Sequence, residues 1–136
     1  MTSKKLQPLA IVLIAVLFPG ALLQATAASV AEVEIGQLLG FIERSGCAVY
    51  RNGSWYSASD GRAHLEKKYR YLRDRGLLNT TEDFMEHVAT ASSMSGEAYQ
   101  MKCDKREPIS SRDWLTIELQ RLRASSAAMR PSLQSR

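Results

Sequence analysis

The chain has 136 residues, with 18 Lys and Arg against 14 Asp and Glu, two cysteines, two histidines and a formal charge of +4. That length supports one domain with one core. So modest a charge argues against nucleic acid as a partner, and two widely spaced histidines give no metal-ligand cluster.

Met1-Thr2-Ser3-Lys4-Lys5 is a basic start, Leu9 to Leu17 is apolar, Pro19-Gly20 breaks the run, and Ala25-Thr26-Ala27 is a small-residue cleavage pattern. Together they predict a signal peptide over residues 1–27, cut after Ala27, with Ala28 as the second choice. The apolar run falls well short of the roughly 18 residues a membrane span needs. No cysteine stands at the cut, so neither a lipid nor a membrane anchor is expected to remain. Loss of Lys4 and Lys5 lowers the formal charge from +4 to +2. Two cysteines in an exported chain favour one disulfide, Cys47 to Cys103. They lack the Cys-x-x-Cys spacing of redox or zinc sites.

Ile35, Leu38, Leu39 and Ile42 recur at helical spacing and predict a helix over 31–44, closed by a left-handed Gly46. Gly36 and Gly40 weaken it by about 1 kcal/mol each relative to Ala unless another element packs close there. Asn52-Gly53 then predicts a two-residue hairpin turn, because both central positions of a type I′ turn need positive φ. That turn sets Val49 opposite Tyr56 and Tyr50 opposite Trp55. Strand alternation puts Cys47, Val49 and Tyr56 on one face, and Tyr50 and Trp55 on the other.

Ser57 to Asp60 has the form of a capping box and opens a helix with Leu65, Tyr69 and Leu72 on its apolar face, ended by Gly76. Its other face carries Arg62, Lys67, Arg70 and Arg73, a solvated basic face with anion binding as the alternative. Thr80 to Asp83 opens a third helix with Phe84, Val88 and Ala91 as its stripe and Met85 beside it. After the polar stretch Ser92-Ser93-Met94-Ser95-Gly96, the alternation of Tyr99, Met101 and Cys103 predicts a half-buried strand. Ser110 caps a last helix, with Asp113 at its third position and Ile109 set to pack on Trp114. Leu115, Leu119 and Leu122 form its stripe.

The expected fold is therefore α+β: a three-stranded antiparallel sheet, the hairpin plus one later strand, packed against about four helices and stapled by the disulfide. The expected domain spans 28–123, and the Ser-, Ala- and Arg-rich residues 124–136 are expected to be a disordered tail.

Several stretches resemble the YfeK-like proteins. They are Ser45-Gly46-Cys47, Tyr50-Arg51-Asn52-Gly53, Trp55-Tyr56, Ala63-His64-Leu65, Lys68-Tyr69, Asp83-Phe84 and Ala89-Thr90. The most specific is Ser92-Ser93-Met94-Ser95-Gly96 with Tyr99 and then Cys103; Trp114-Leu115 closes the pattern. Ala48-Val49 is milder than the bulkier apolar residues of that family's first strand. The resemblance covers roughly Glu34 to Arg123, almost a whole domain by ordinary domain length. It implies a small exported protein of a Gram-negative bacterium, periplasmic or secreted, with one disulfide and no assigned activity. It carries over no catalytic residues.

The most suggestive chemistry is the hydroxyl-rich stretch from Ser92 to Tyr99. With His64 and Lys68 one turn apart on the second helix, the residues Ser92, Ser93, Ser95 and Tyr99 make a candidate ligand or partner site. Lysine donates three hydrogen bonds and serine both donates and accepts, which suits an anionic or hydroxylated ligand, a peptidoglycan-type ligand or a protein. The competing reading is local: the serines satisfy the turn, and Lys68 caps the carbonyls that end the third helix. A serine hydrolase would need a base and its orienting group beside one serine, and no Gly-x-Ser-x-Gly elbow or Ser-x-x-Lys pair is present. Ser95-Gly96-x-x-Tyr99 also looks like the loop by which some periplasmic lysozyme inhibitors plug their target, although those are β-barrels. Tyr50 and Trp55, if their sheet face is uncovered, form a binding surface. No cofactor loop is present. The expectation is a non-enzymatic binding or interaction module, without catalytic, metal or cofactor residues.

Overall fold

A computed structural model describes residues 28–130. The elements are α1 (Val30–Ser45), β1 (Ala48–Arg51), β2 (Ser54–Tyr56), α2 (Ala58–Arg73), α3 (Thr81–His87), β3 (Gln100–Lys102), β4 (Ile109–Ser110) and α4 (Ser111–Met129). Residues 1–27, where a signal peptide is expected, and residues 131–136 lie outside the described residues.

Local chemistry fixes the element ends. Ser29 and Glu32 form a reciprocal capping box at α1, and Gly46 at φ 64° closes that helix. Thr80 and Asp83 form the same box at α3. At α2 the Ser57 side chain accepts from the Asp60 N–H, while its hydroxyl donates to the Asp60 carboxylate. The helix ends in a Schellman arrangement at Gly76 (φ 69°): Gly76 N–H bonds Arg73 O and Leu77 N–H bonds Leu72 O.

Asn52 (φ 48°) and Gly53 (φ 83°) make the hairpin turn. The register pairs Val49 with Tyr56 and Tyr50 with Trp55, as the turn dictates. β1 also pairs antiparallel with β3, setting Val49 opposite Met101 and Ala48 opposite Lys102. One step further along this ladder stand Cys47 and Cys103, joined by the disulfide at a Cα–Cα distance of 4.4 Å. That is the spacing of a non-hydrogen-bonded antiparallel pair.

Three expectations need correction. The sheet has four strands in the order β2-β1-β3-β4. The strand the sequence hid is Ile109–Ser110, paired with β3 through Met101 and Gln100. It is too short to show alternation, and Ser110 doubles as the cap of α4. Ala91 is not on a helical stripe, because α3 stops at His87 and Ala91 bridges Ala98 instead. Finally, α4 continues through Ala124 to Met129, where a tail was expected. Alanine favours helix, and the Ser125 and Ser126 hydroxyls bond the carbonyls of Arg121 and Leu122 one turn back.

The core lies between the helices and the inner face of the sheet. Leu38, Ile42, Leu65, Phe84, Val88, Met101 and Leu115 are its most buried members. α2 sits directly on β1: a Cβ at Gly61 would lie 2.4 Å from a methyl of Val49. Phe41 of α1 stacks on Trp114 of α4 with ring centroids 4.4 Å apart.

A partly buried ion-pair cluster ties three helices. The Arg123 guanidinium donates two bonds of 2.9 Å to Glu34 and one of 2.7 Å to Glu82. Thr81 donates its hydroxyl to Glu34 as well. The Arg123 hydrogen bonds, outweighing burial, hold the Glu34 carboxyl below its ordinary 4.5. Removing Arg123 leaves the largely buried Glu34 carboxylate with only the Thr81 hydroxyl, so Arg123→Ala is expected to cost about 1–2 kcal/mol, less than a fully buried pair. Arg123→Lys, which lacks the planar fork, recovers only part of that. Urea denaturation of both variants at neutral pH checks this; equal stability of native and Arg123→Ala protein would refute it.

Candidate functional site

The 92–97 loop is a small closed structure. Tyr99 N–H bonds Thr90 O, Ser92 N–H bonds Glu97 O, and Gly96 N–H bonds Ser92 O. Ser92 is buried and its hydroxyl oxygen faces the N–H groups of Met94 and Ser95. That is local turn chemistry. Ser93 is exposed. Ser95 accepts from the Glu97 N–H and donates its hydroxyl to the Asn52 side chain at 2.7 Å. Tyr50 in turn donates to the Glu97 carboxylate at 2.9 Å. The loop tip is thus fastened to the hairpin tip by two bonds between parts of the chain 43 and 47 residues apart.

Lys68 reaches the base of the same loop. Its ammonium donates to Val88 O at 3.3 Å and Ala91 O at 2.8 Å, and lies 5.5 Å from the centre of the Tyr99 ring. These carbonyls follow the last turn of α3, so Lys68 caps that helix end. Burial lowers its pKa below the ordinary lysine value.

His64 stands between β1 and Tyr99. Its Nδ1 lies 3.0 Å from an Arg51 guanidinium nitrogen and its Nε2 lies 3.1 Å from the Tyr99 hydroxyl. A guanidinium cannot accept, so Nδ1 accepts and the Nε2–H donates to Tyr99. Burial, then the charges of Arg51, Lys68 and Lys67, lower the His64 pKa below 6.5. Burial raises that of Tyr99. These groups edge a pit that Val49, Asp60 and Gly61 also line, with about 10 Å³ of room. That is the space of a single water, not of a substrate.

The candidate residues therefore fall into two sets. His64, Lys68, Ser92 and Tyr99 come together as the loop's internal supports. Ser93 and Ser95 belong to its outward rim. Neither ring nitrogen of His64 faces a serine, and His87 is exposed on α3. Among the described residues no group of three or more His, Cys, Asp or Glu is arranged to hold a metal ion. No helix among them is long and apolar enough to cross a membrane.

Sequence reasoning missed Arg51, Asn52 and Glu97 as parts of this region. The signal for Arg51 was present, because the alternation that faces Cys47 and Val49 inward carries Arg51 with them. Around the joined tips Met94 is 95% exposed and Trp55 is 43% exposed. Trp55 lies against Tyr50, with centroids 5.2 Å apart, and Lys102 approaches its ring at 5.9 Å.

Two outcomes follow from the buried set. Lys68→Ala leaves two carbonyls without their donor and is expected to cost about 1–3 kcal/mol, measured by thermal denaturation; an unchanged melting temperature would remove the capping role. His64 has a folded-state pKa below that of the unfolded chain, so the unfolded chain takes up the proton first. The stability that neutral His64 supplies is full above about 6.5 and is lost as pH falls through the lower folded value. Melting temperatures between about pH 7.5 and about pH 5.5, above the carboxylate range, should fall for the native protein. They should fall less for His64→Gln, which still accepts and donates.

In comparison with known proteins, a model of DUF5329, a family of unknown function, matches residues 29–123. No curated protein and no solved structure matches the chain.

Proposed function

The chain belongs to the DUF5329 family, a family of unknown function, and we propose that it is an exported, non-enzymatic module that binds a partner with the joined tips of the 92–97 loop and the β1–β2 hairpin. The observation that carries this reading is the Ser95–Asn52 bond, seconded by Tyr50–Glu97. Two turns are held together before any partner arrives, with Met94 and Trp55 exposed beside them. An apolar anchor on a prearranged surface binds at a lower entropic cost than one on a loose loop. The partner class is a protein or a hydroxylated, peptidoglycan-type ligand. A small anionic ligand is less well served, since the cations nearest the loop are turned inward to Val88, Ala91 and His64.

The resemblance to YfeK-like proteins and the predicted leader support a periplasmic or secreted address in a Gram-negative cell. The Cys47–Cys103 disulfide is compatible with that address. The lysozyme-inhibitor reading is less well supported. Tyr99 of its Ser95-Gly96-x-x-Tyr99 string is 2% exposed and faces His64, so it cannot reach out as a plug. The serine-hydrolase reading lacks its base at Ser95, whose hydroxyl is given to Asn52.

The test uses protein recovered from the cell envelope, whose intact mass should correspond to a chain starting at Ala28. Co-sedimentation with isolated peptidoglycan sacculi, and cross-linking in the intact envelope, are run with native protein, Trp55→Ala and Met94→Ser. Met94→Ser should keep stability within about 0.5 kcal/mol, as surface changes do. Trp55→Ala should lose no more than about 1 kcal/mol, the worth of a cross-strand aromatic pair, and both should lose sedimentation or one discrete cross-link at least tenfold. Unchanged binding in both variants would overturn the reading. So would turnover of an ester or peptide that Ser95→Ala abolishes. Stoichiometric loss of lysozyme activity on mixing would install the inhibitor reading in its place.

A further inference from the structure

α1 and α2 leave a groove between them that the loop surface does not explain. It has about 460 Å³ of room, within the ordinary range for ligand sites. Its floor is Leu39 and Tyr69, both buried. Arg62, Glu66, Arg70 and Arg73 line the α2 side, and Glu32 and Gly36 line the α1 side.

The α2 wall carries three guanidiniums, each paired with a carboxylate. Glu66 pairs with Arg62 at 3.2 Å and with Arg70 one turn further on. Arg73 is held by Asp74 and lies over the Tyr69 ring at 5.4 Å. Each guanidinium carries five N–H donors, so these pairings orient the groups and leave donors over. The Nε of Arg62 is shielded from solvent and makes no hydrogen bond, although a Glu43 oxygen lies 3.4 Å away. On the opposite wall the Glu32 carboxylate accepts from the Ser29 N–H at the helix start.

Gly36 lies on the α1 wall. It is exposed in mid-helix, where glycine costs about 1 kcal/mol relative to Ala. A Cβ there would meet nothing within 4 Å. No close approach within the protein requires this glycine. Its bare backbone does widen the groove opposite the arginines.

We propose that the α1–α2 groove is a binding site for an elongated anion bearing several phosphate or carboxylate groups. At the rise of an α-helix, Arg62 and Arg73 stand roughly 16 Å apart. A chain-like anion meets both, whereas a single small anion meets one. Guanidinium forks match phosphate and carboxylate oxygens alike.

The test uses the mature full-length protein and two fluorescent probes, a short inorganic polyphosphate and an oligoglutamate, with orthophosphate as the single-anion control. Anisotropy at physiological salt should show saturable binding of one probe, and which one separates phosphate from carboxylate recognition. Gly36→Leu, which fills the groove without touching any charge, should weaken that binding at least tenfold. Arg70→Gln with Arg73→Gln should do the same. Gly36→Ala should raise the melting temperature, showing that position 36 tolerates a side chain. Arg112→Gln, on the first turn of α4, should bind as the native protein does, and so should Trp55→Ala, which keeps this site separable from the loop surface. No binding of either probe would overturn the proposal. Binding weakened by the arginine changes but untouched by Gly36→Leu would also overturn it, reducing the effect to diffuse charge attraction.

Discussion

Cys47 and Cys103 occupy facing positions at the end of the β1–β3 ladder, one step past Ala48 and Lys102. The bond is therefore an additional rung of the sheet, made of sulfur. It joins a strand that follows α1 directly to one that lies 56 residues later. Chain entropy for a loop of that size corresponds to about 4 kcal/mol, acting mainly on the unfolded chain. A domain this small has a net stability of roughly 5–15 kcal/mol, so the disulfide accounts for a large share. It also sets the register in which everything else on the sheet is read. With β1 held between β2 and β3, the inward row Cys47, Val49, Arg51 is fixed, and so is the outward pair Tyr50 and Trp55.

That register explains how a short strand supplies both a core and a support for the loop. Val49 lies so close to Gly61 that α2 rests on β1 with no side chain between. The close approach brings His64, one turn further along α2, to Arg51 on the same strand face. From His64 the contacts pass to Tyr99, and from the next turn, through Lys68, to the carbonyls of Val88 and Ala91. The residues richest in apparent chemistry are thus spent on holding the 90–99 segment in place. The groups left facing outward are plainer: Met94, Trp55 and the rim serines.

Much of this was legible in the sequence because its causes are local. The turn chemistry of Asn52-Gly53 fixes two strands and their register. The apolar spacing of Ile35 to Ile42 fixes the buried face of α1. Ser57 and Ser110, like Thr80, mark helix starts by the bonds they make within three residues. What escaped was non-local or too brief to have a period. β4 is two residues long and borrows one of them as a helix cap. Glu34 and Arg123 meet across 89 residues, and nothing near either of them announces the other. Arg51 could have been placed inward by alternation, but a charged residue in that row has meaning only once His64 is known to face it. The Ser92 to Ser95 stretch read equally well as a site or as a turn, since a hydroxyl that bonds its own loop is indistinguishable in sequence from one that bonds a ligand.

Ser110 has a mechanical consequence. It pairs with Gln100 as the last residue of the sheet and caps α4 as the residue before its first turn. The Ser111 N–H, at the next position, bonds Tyr99 O. Strand and helix share a joint with no linker residue, so there is no hinge between them. α4 cannot swing without breaking the ladder that also carries Tyr99. Short of its C-terminal end, Arg123 clamps the same helix to α1 and α3. α4 is accordingly a strut braced at its first turn and at Arg123, with its last six residues projecting past the second brace, and its braced span moves only together with the base of the 92–97 loop.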